Sequence, residues 1–305
     1  MTRPRPAAVL RSMLGTSLHD LVSDGYAQCI ATDLKWGEGP AFLPSRDLWV
    51  FSDIPNNRML SWSRKEGLST FRSPSNFANG NTICIDGALI TCEHGTRCVS
   101  RTDVDGSYRV LCRHFDGQRL NSPNDVVQHR DGSIWFTDPT YGILSDVEGY
   151  RAPSEQPANR VYRLDASSGA LTAEVSALQM PNGLCFSPDG STLYVADSGA
   201  DRGPEVPLNE QGPREVYSFP MSPQGRVAGA GSVFARASRG VPDGIRCDED
   251  SYLWVATGLG LECFSPHGAR IGAIPTPETL ANLAFGDGSV LLVLATRAYL
   301  LELNR

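Results

Sequence analysis

The sequence predicts an all-β fold, a six-bladed β-propeller, and three observations support this prediction. One hairpin pattern occurs six times: a polar residue opens a run of β-branched and aromatic residues, a turn follows, and a second such run comes after it. The copies are spaced by roughly 40 to 60 residues, the period of four-stranded propeller blades. The 30 Gly and 21 Pro suit a chain with many tight turns. The copies span 38–53, 79–93, 121–138, 182–197, 243–256 and 282–295.

The third copy shows the pattern most clearly. A polar corner leads into a run from Asp125 to Gln128, a turn at Asp131-Gly132, and a second run from Ser133 to Thr137. An Asp-Gly pair between two such runs is a strong signal for a β-hairpin. Each copy therefore predicts the two inner strands of one blade.

The composition restricts the classes of protein to which the chain can belong. Hydrophobic residues make up 41% and charged residues 20%, which is typical of a globular protein with a large core. The net charge of −7 leaves no basic stripe to neutralise phosphates, so we expect no nucleic-acid partner. No apolar run is long enough to span a membrane, so we expect no membrane partner either.

The chain divides into a short extension and one large domain. Residues 1–25 precede the repeats and are predicted to be an N-terminal extension that lies against the propeller, and residues 26–305 are predicted to form one propeller domain. The eight cysteines are scattered without a Cys-x-x-Cys pair. This usage favours small buried side chains in a reducing compartment over a disulfide or zinc framework, and so predicts a cytoplasmic protein.

Two irregular segments interrupt the repeats, at 139–158 and 201–213. Both are rich in turn-forming residues and have no hydrophobic period. Insertions of this length in a compact repeat fold tend to be functional loops or lids. We expect both to border one mouth of the channel.

The first residue of the inner strand is polar in most copies. Glu38, Asn79, Asn124, Asn182 and Asp243 share this repeat position, and inner strands line the channel of a propeller, so their side chains are expected to converge. Glutamate, aspartate and asparagine oxygens without His or Cys select Ca²⁺ or Mg²⁺, with Mn²⁺ also possible. The alternative is that Asn and Asp before Gly merely form turns.

Four further acids end the second strands. We expect these residues to lie at the opposite end of the blades from the metal position and to act as turn or cap residues. They are Asp53, Glu93, Asp138 and Asp197.

Five motifs occur in a specific order along the chain: Glu38-Gly-Pro, Leu120-Asn-Ser-Pro-Asn-Asp-Val-Val, Ile134-Trp-Phe-Thr-Asp-Pro-Thr-Tyr-Gly-Ile, Met180-Pro-Asn-Gly-Leu and Val241-Pro-Asp-Gly-Ile. With these motifs the sequence resembles the gluconolactonase branch of the senescence marker protein 30 (regucalcin-like) family over residues 35 to 298. This resemblance implies a six-bladed propeller with one divalent cation in its central channel that hydrolyses a small-molecule sugar lactone. Calcium is the expected ion, with magnesium, manganese or zinc as alternatives.

The resemblance also implies roles for individual residues. Glu38, Asn182 and Asp243 match the family's metal ligands, and Asn124 matches an Asn at the metal or the substrate. Asp243 matches the proposed base, which would take a proton from water. The family's substrate-holding Arg falls near Arg119, but Asn121-Ser-Pro intervenes, and Asn121 is the better candidate for the substrate contact.

Further substrate contacts are expected from Asn79, Asn124, His94 and Tyr141. His94 would lie near the mouth as an acid or base, the alternative being a structural role. Tyr141 would cover the substrate or pack against aromatic neighbours.

Three functions remain open on the sequence alone. The first is a metal-dependent sugar lactonase, acting as a monomer or homodimer. The second is hydrolysis of another ester or a phosphotriester at the same ion, because fold and metal do not fix the substrate. The third is a non-catalytic Ca²⁺-binding propeller. The sequence contains no Gly-x-Ser-x-Gly, His-Glu-x-x-His or phosphate-binding Gly-Lys motif.

Overall fold

Strands dominate the structure, a computed structural model in which residues 5–203 and 206–304 are described. The strands are β1 (Ala27–Ala31), β2 (Gly37–Leu43), β3 (Leu48–Asp53), β4 (Arg58–Ser63), β5 (Gly67–Arg72), β6 (Ala78–Ile83), β7 (Leu89–Glu93), β8 (Cys98–Thr102), β9 (Tyr108–Cys112), β10 (His114–Phe115), β11 (Gln118–Arg119), β12 (Val126–Gln128), β13 (Ile134–Asp138), β14 (Arg160–Leu164), β15 (Leu171–Val175), β16 (Pro181–Phe186), β17 (Thr192–Asp197), β18 (Glu215–Pro220), β19 (Ser232–Arg236), β20 (Ile245–Cys247), β21 (Leu253–Thr257), β22 (Gly260–Phe264), β23 (Arg270–Pro275), β24 (Leu280–Gly286), β25 (Ser289–Leu294) and β26 (Ala298–Glu302). The helices are α1 (Pro6–Ser12), α2 (Leu18–Ser23) and α3 (Tyr141–Leu144), with a 3-10 turn at Pro44–Arg46.

Six four-stranded antiparallel sheets form the blades, which confirms the predicted six-bladed propeller. Five blades are built from consecutive strands: β2 to β5, β6 to β9, β12 to β15, β16 to β19 and β20 to β23. The sixth blade combines β24, β25 and β26 with β1, so its outer strand comes from the other end of the chain. This exchange closes the ring, with Ala27 paired to Leu301.

The hairpins follow the predicted register. In the third blade, Val126 pairs with Phe136 and Gln128 with Ile134, and the connecting Gly132 has a φ of 86°. Such a left-handed turn residue matches the right-handed twist of the flanking strands. The alternation along β13 turns Trp135 to one side of the sheet and Phe136 to the other, where each is fully buried between neighbouring blades.

Two short helices cover the outer part of the fifth and sixth blades. Leu10 of α1 and Leu18 of α2 are fully buried in one apolar cluster with Trp254 and Leu261. Ser17 caps α2 by accepting a hydrogen bond from the Asp20 amide at 3.2 Å. Each buried leucine contributes on the order of 2 kcal/mol. Residues 6–23 thus pack on the propeller, while the division of the chain at residue 25 stays a prediction.

All eight cysteines are free, and five of them are buried. Within the described residues, no helix has the length and apolar character needed to cross a membrane. The cytoplasmic location stays a prediction.

Candidate active site

A cavity of about 490 Å³ opens at the channel end where the inner strands begin. Both irregular insertions contribute to its wall, as predicted: Tyr141 and Val147 come from the first, and Asp201 and Leu208 from the second. The wall also contains all five side chains that the repeat register places at the start of the inner strands. These are Glu38, Asn79, Asn124, Asn182 and Asp243.

Glycines explain how the inner strands come so close together. A Cβ on Gly39 would lie 2.1 Å from the backbone oxygen of Asn79, and one on Gly183 would lie 2.2 Å from that of Asp243. Gly80 and Gly244 make equally close approaches to the next blade. In four of the five copies, the glycine after the polar residue therefore allows adjacent blades to touch at the channel, which is a stricter requirement than turn formation, whereas Asn124 is followed by Asp125.

Three of the converging side chains are unpartnered. The side chains of Asn124, Asn182 and Asp243 have relative exposures of 5%, 8% and 8%, and none makes a hydrogen bond to another described residue. Buried polar groups normally have partners. Together with Glu38 they form a set of hard oxygen donors that fits a divalent cation such as Ca²⁺. No group of three or more His, Cys, Asp or Glu within 5–203 and 206–304 has metal-site geometry, so this fit depends on the two amides.

The carboxyl groups of the site repel one another. Burial raises the pKa of Glu38 to about 7, although hydrogen bonds from Asn282 and Gly39 oppose the shift. Burial and then the charge of Glu38 raise the pKa of Asp243 well above its ordinary value. Like charges at short range disfavour ionisation, and a bound cation would relieve this repulsion.

A second pair of carboxyl groups comes from the insertions. Burial, followed by the charge of Asp201, raises the pKa of Glu148 to about 8, and burial raises the pKa of Asp201 as well. Lys35 is the one basic side chain among the described residues of the cavity wall. The cavity is therefore strongly acidic on both its strand side and its loop side.

Asn282 is a site residue that sequence reasoning missed. It lies in the sixth repeat, and its Nδ2 donates to Glu38 Oε2 at 2.9 Å, while its own Oδ1 accepts from the Leu283 amide at 2.8 Å. This pair of bonds fixes the orientation of Glu38. The sixth repeat has Ala281 at the shared polar position, because Leu280 and Leu283 correspond to Pro181 and Leu184 of the fourth blade, so the repeat register gave no signal for Asn282.

The other missed residues lie outside the repeats. Lys35, Trp36, Glu148 and Asp201 all line the cavity. The acids occur in the two insertions expected at the mouth, which is the only sequence signal for them.

Two of the expected substrate contacts lie away from the cavity. Asn121 is fully buried, and its side chain bonds Ser154, Asn159 and the Asp138 carbonyl. Arg119, on β11, donates to the Thr96 carbonyl at 3.3 Å. Neither residue belongs to the cavity wall, so the geometry gives no support to their predicted roles.

His94 and Tyr141 are close to the site in different ways. Tyr141 lines the cavity from α3. His94 is 1% exposed, lies behind the wall, and contacts Asn79. Burial lowers the pKa of His94 to about 4, so the ring is neutral at pH 7 and is poorly suited to the acid or base role.

The acids that end the second strands were predicted to lie at the end of the blades opposite the metal position, and this prediction is wrong. Asp53 pairs with Gly37, Glu93 with Ala78 and Asp197 with Pro181, at the cavity end of their blades. In an antiparallel pair the end of one strand lies beside the start of its partner. The predicted capping is present, since Asp53 accepts from the Lys35 amide and Asp138 from the Asn121 amide.

Comparison with known proteins gives a consistent result. The sequence profile of the SMP-30/Gluconolactonase/LRE-like region matches residues 36–297. The gluconolactonase of Zymomonas mobilis is 31% identical over 296 residues, covering 88% of this chain and 78% of that protein.

Two solved structures share the architecture. A gluconolactonase from Xanthomonas campestris is 32% identical with a TM-score of 0.82, covering 90% of this chain and 88% of that one. The calcium-binding protein regucalcin from Agrobacterium tumefaciens is 20% identical with a TM-score of 0.70, covering 88% of this chain and 90% of that one, and shows the fold alone.

Proposed function

Since the chain belongs to the SMP-30/gluconolactonase/LRE-like family, we propose that it is a hydrolase that opens sugar lactones at a divalent cation. The observation that carries this proposal is the meeting of Glu38, Asn124, Asn182 and Asp243 around one cavity. The similarity to two gluconolactonases supports the reaction class. Calcium is the ion we expect.

The ligands of the cation would be Glu38, Asn124, Asn182 and Asp243. When bound, a divalent ion in such a site polarises a carbonyl oxygen and lowers the pKa of water. Glu38 is held in place for this role by the hydrogen bond from Asn282. The amides of Asn124 and Asn182 add oxygen donors without adding charge, and they also orient hydroxyl groups of the sugar.

Asp243 would act as the general base. Its carboxylate takes a proton from water while the water oxygen attacks the lactone carbonyl carbon. The bond between that carbon and the ring oxygen breaks, and the ring oxygen takes up the proton that Asp243 received from the water, which gives the hydroxyl of an open-chain acid and restores the carboxylate. Burial and the charge of Glu38 raise the pKa of Asp243, and a cation bound beside it would favour the ionised carboxylate that this role requires.

The cavity suits a small polar substrate. Its volume of about 490 Å³ falls in the range of small-molecule sites, and its wall mixes oxygen-bearing side chains with Trp36, Tyr141 and Val241. The cytoplasmic location and the monomeric or homodimeric state stay predictions.

An indicator assay of acid release tests the proposal. We expect hydrolysis of D-glucono-δ-lactone above the uncatalysed rate, loss of activity in EDTA, and recovery on addition of CaCl₂. A phosphotriester is assayed in parallel, because turnover of that ester alone would replace the lactonase proposal. Activity that is unchanged by EDTA would contradict the role of the cation, and Ca²⁺ binding without any turnover would favour a non-catalytic propeller.

A further inference from the structure

The imidazole of His94 lies directly behind the cavity wall, between Asn79 and the insertion 139–158. Its Nε2 is 3.2 Å from Asn79 Nδ2, and its Nδ1 is 3.0 Å from the backbone oxygen of Glu148. The residue is 1% exposed. Both ring nitrogens are therefore occupied by groups of the protein.

These two contacts fix the tautomer of the ring. A backbone carbonyl oxygen can only accept a hydrogen bond, so Nδ1 must carry the proton that is donated to Glu148. A neutral ring has one proton, and Nε2 is left with a lone pair. The acceptor at Nε2 then requires a donor, which is the amide NH₂ group of Asn79.

The tautomer of His94 in turn fixes the orientation of the side-chain amide of Asn79. If this amide were turned over, its oxygen would face the lone pair of Nε2, and two acceptors would lie within contact distance. The observed arrangement directs Oδ1 away from His94 instead. Asn79 lines the cavity, and its Oδ1 makes no hydrogen bond to another described residue.

The same ring also supports the insertion 139–158. A Cβ on Gly142 would lie 2.5 Å from the Cβ and Cγ atoms of His94, so the insertion packs directly on the imidazole. The bond from Nδ1 holds the carbonyl of Glu148, whose side chain lines the cavity. Nδ1 thus forms a hydrogen bond with the insertion, and Nε2 forms one with Asn79.

We propose that His94 is a positioning residue whose Nδ1–H tautomer makes Asn79 a hydrogen-bond acceptor in the cavity, where it receives a hydroxyl group of the substrate. The inference rests on the proposed function, because the hydroxyl is that of a polyhydroxylated lactone. It replaces the expectation that His94 transfers protons.

Two substitutions at His94 test the roles of its two ring nitrogens independently. In His94→Asn, the amide nitrogen falls near the position of Nδ1 and can still donate to Glu148, but the acceptor for Asn79 is lost. In His94→Gln, the amide oxygen falls near the position of Nε2 and can still accept from Asn79, but the bond to Glu148 is lost. Thermal unfolding of both variants reports whether each is folded.

The expected kinetic result is a change in KM that depends on substrate hydroxyls. For D-glucono-δ-lactone, His94→Asn should raise KM about tenfold, the value of one neutral hydrogen bond, with kcat nearly unchanged. For δ-valerolactone, which has the same ring without hydroxyls, the change should stay below about twofold. His94→Gln should keep KM near that of the unmodified protein and instead speed amide hydrogen exchange in 139–158.

A double-mutant cycle with Asn79→Ala provides the sharpest test. In the Asn79→Ala background, His94→Asn should have no further effect on KM for gluconolactone, because both changes remove the same acceptor. Additive effects would overturn the proposal. Equal effects of His94→Asn on the two lactones, or equal effects of the Asn and Gln variants, would overturn it as well.

A measurement without catalysis separates this inference from the proposed function. Two-bond ¹⁵N–¹H NMR of the labelled full chain reports the tautomer of each histidine, and His94→Gln assigns the signal. An Nδ1–H tautomer at pH 7 supports the inference, and an Nε2–H tautomer or a charged ring overturns it. Failure of the unmodified protein to hydrolyse any lactone would contradict the proposed function alone.

Discussion

Arg246 Nη1 lies 3.2 Å from Asp125 Oδ2 inside the channel, next to the candidate cation site. Asp125 is 1% exposed and also accepts hydrogen bonds from the amides of Val126 and Leu184. Asn124, the residue before it, lines the cavity. The ion pair therefore links the third, fourth and fifth blades just below the site.

Replacement of Arg246 by Met should destabilise the protein. The Asp125 carboxylate would stay buried without its cation, and breaking a buried pair from one side costs about 3 kcal/mol. We expect the free energy of unfolding in urea to fall by about this amount.

Arg130→Met is the matched control. Arg130 is exposed, and its side chain makes no hydrogen bond or ion pair with a described residue. Its replacement should change the free energy of unfolding by less than about 0.5 kcal/mol. Equal effects of the two replacements would show that the Asp125 pair is unimportant for stability.

Asp243→Asn should abolish most of the lactonase activity. The amide keeps the size of the side chain but cannot accept a proton from water, and general base catalysis contributes about 10² to 10⁴ in rate. We expect kcat/KM for gluconolactone at saturating CaCl₂ to fall at least about a hundredfold. Asp189→Asn, at an exposed hairpin turn, is the control, and full activity of the Asp243 variant would remove Asp243 as the base.

Glu38→Gln should weaken cation binding without unfolding the protein. The variant loses one of the two carboxylates of the donor set, while an amide oxygen can still accept from Asn282. Calorimetric titration with CaCl₂ should show an affinity at least about tenfold lower, because ligand charge sets Ca²⁺ affinity. Glu66→Gln, on the exposed loop after β4, should bind as tightly as the unmodified protein.

In EDTA the protein should lose stability as the pH rises from about 4 to 8. Burial raises the pKa of Glu38 and Asp138 to about 7 and that of Glu148 to about 8. In this interval the unfolded chain releases protons that the folded chain retains, so unfolding becomes easier as the pH rises. The contribution of these groups is fully present below about pH 4 and is lost as the pH passes their folded pKa values.

Urea unfolding at several pH values measures this effect. The shift of Glu38 alone corresponds to about 3 kcal/mol. Glu38→Gln should show a flatter dependence than the unmodified protein, and CaCl₂ should stabilise the protein most at high pH. A stability that is constant or rises with pH in EDTA would contradict the prediction.

Much of the fold follows from local patterns in the sequence. The Asp131-Gly132 turn and the runs beside it predict β12 and β13 to within one residue. The outer strand of the sixth blade is different, because β1 is joined to β26 by backbone hydrogen bonds that any sequence can make. No side-chain pattern in 27–31 indicates that partner.

Only those site residues that belong to the repeated hairpins could be predicted from the sequence. Glu38 and Asp243 were found because equivalent positions of a repeat converge on one axis. Glu148 and Asp201 lie in segments without a period, and their approach to the cavity depends on tertiary contacts such as that of His94 with Gly142. Asn121 resembles a substrate ligand in sequence, but its side chain is occupied by Ser154 and Asn159.

The pairing of β1 with β26 has a consequence for biosynthesis. During synthesis the ring of blades cannot close until Leu301 has left the ribosome and paired with Ala27, because these two residues are strand partners. Between its release and its pairing with Ala27, the Ala298–Glu302 strand has an open edge with which a foreign strand can pair. Contacts between such distant positions form slowly, so the period before sealing is the time at which this protein is most exposed to aggregation.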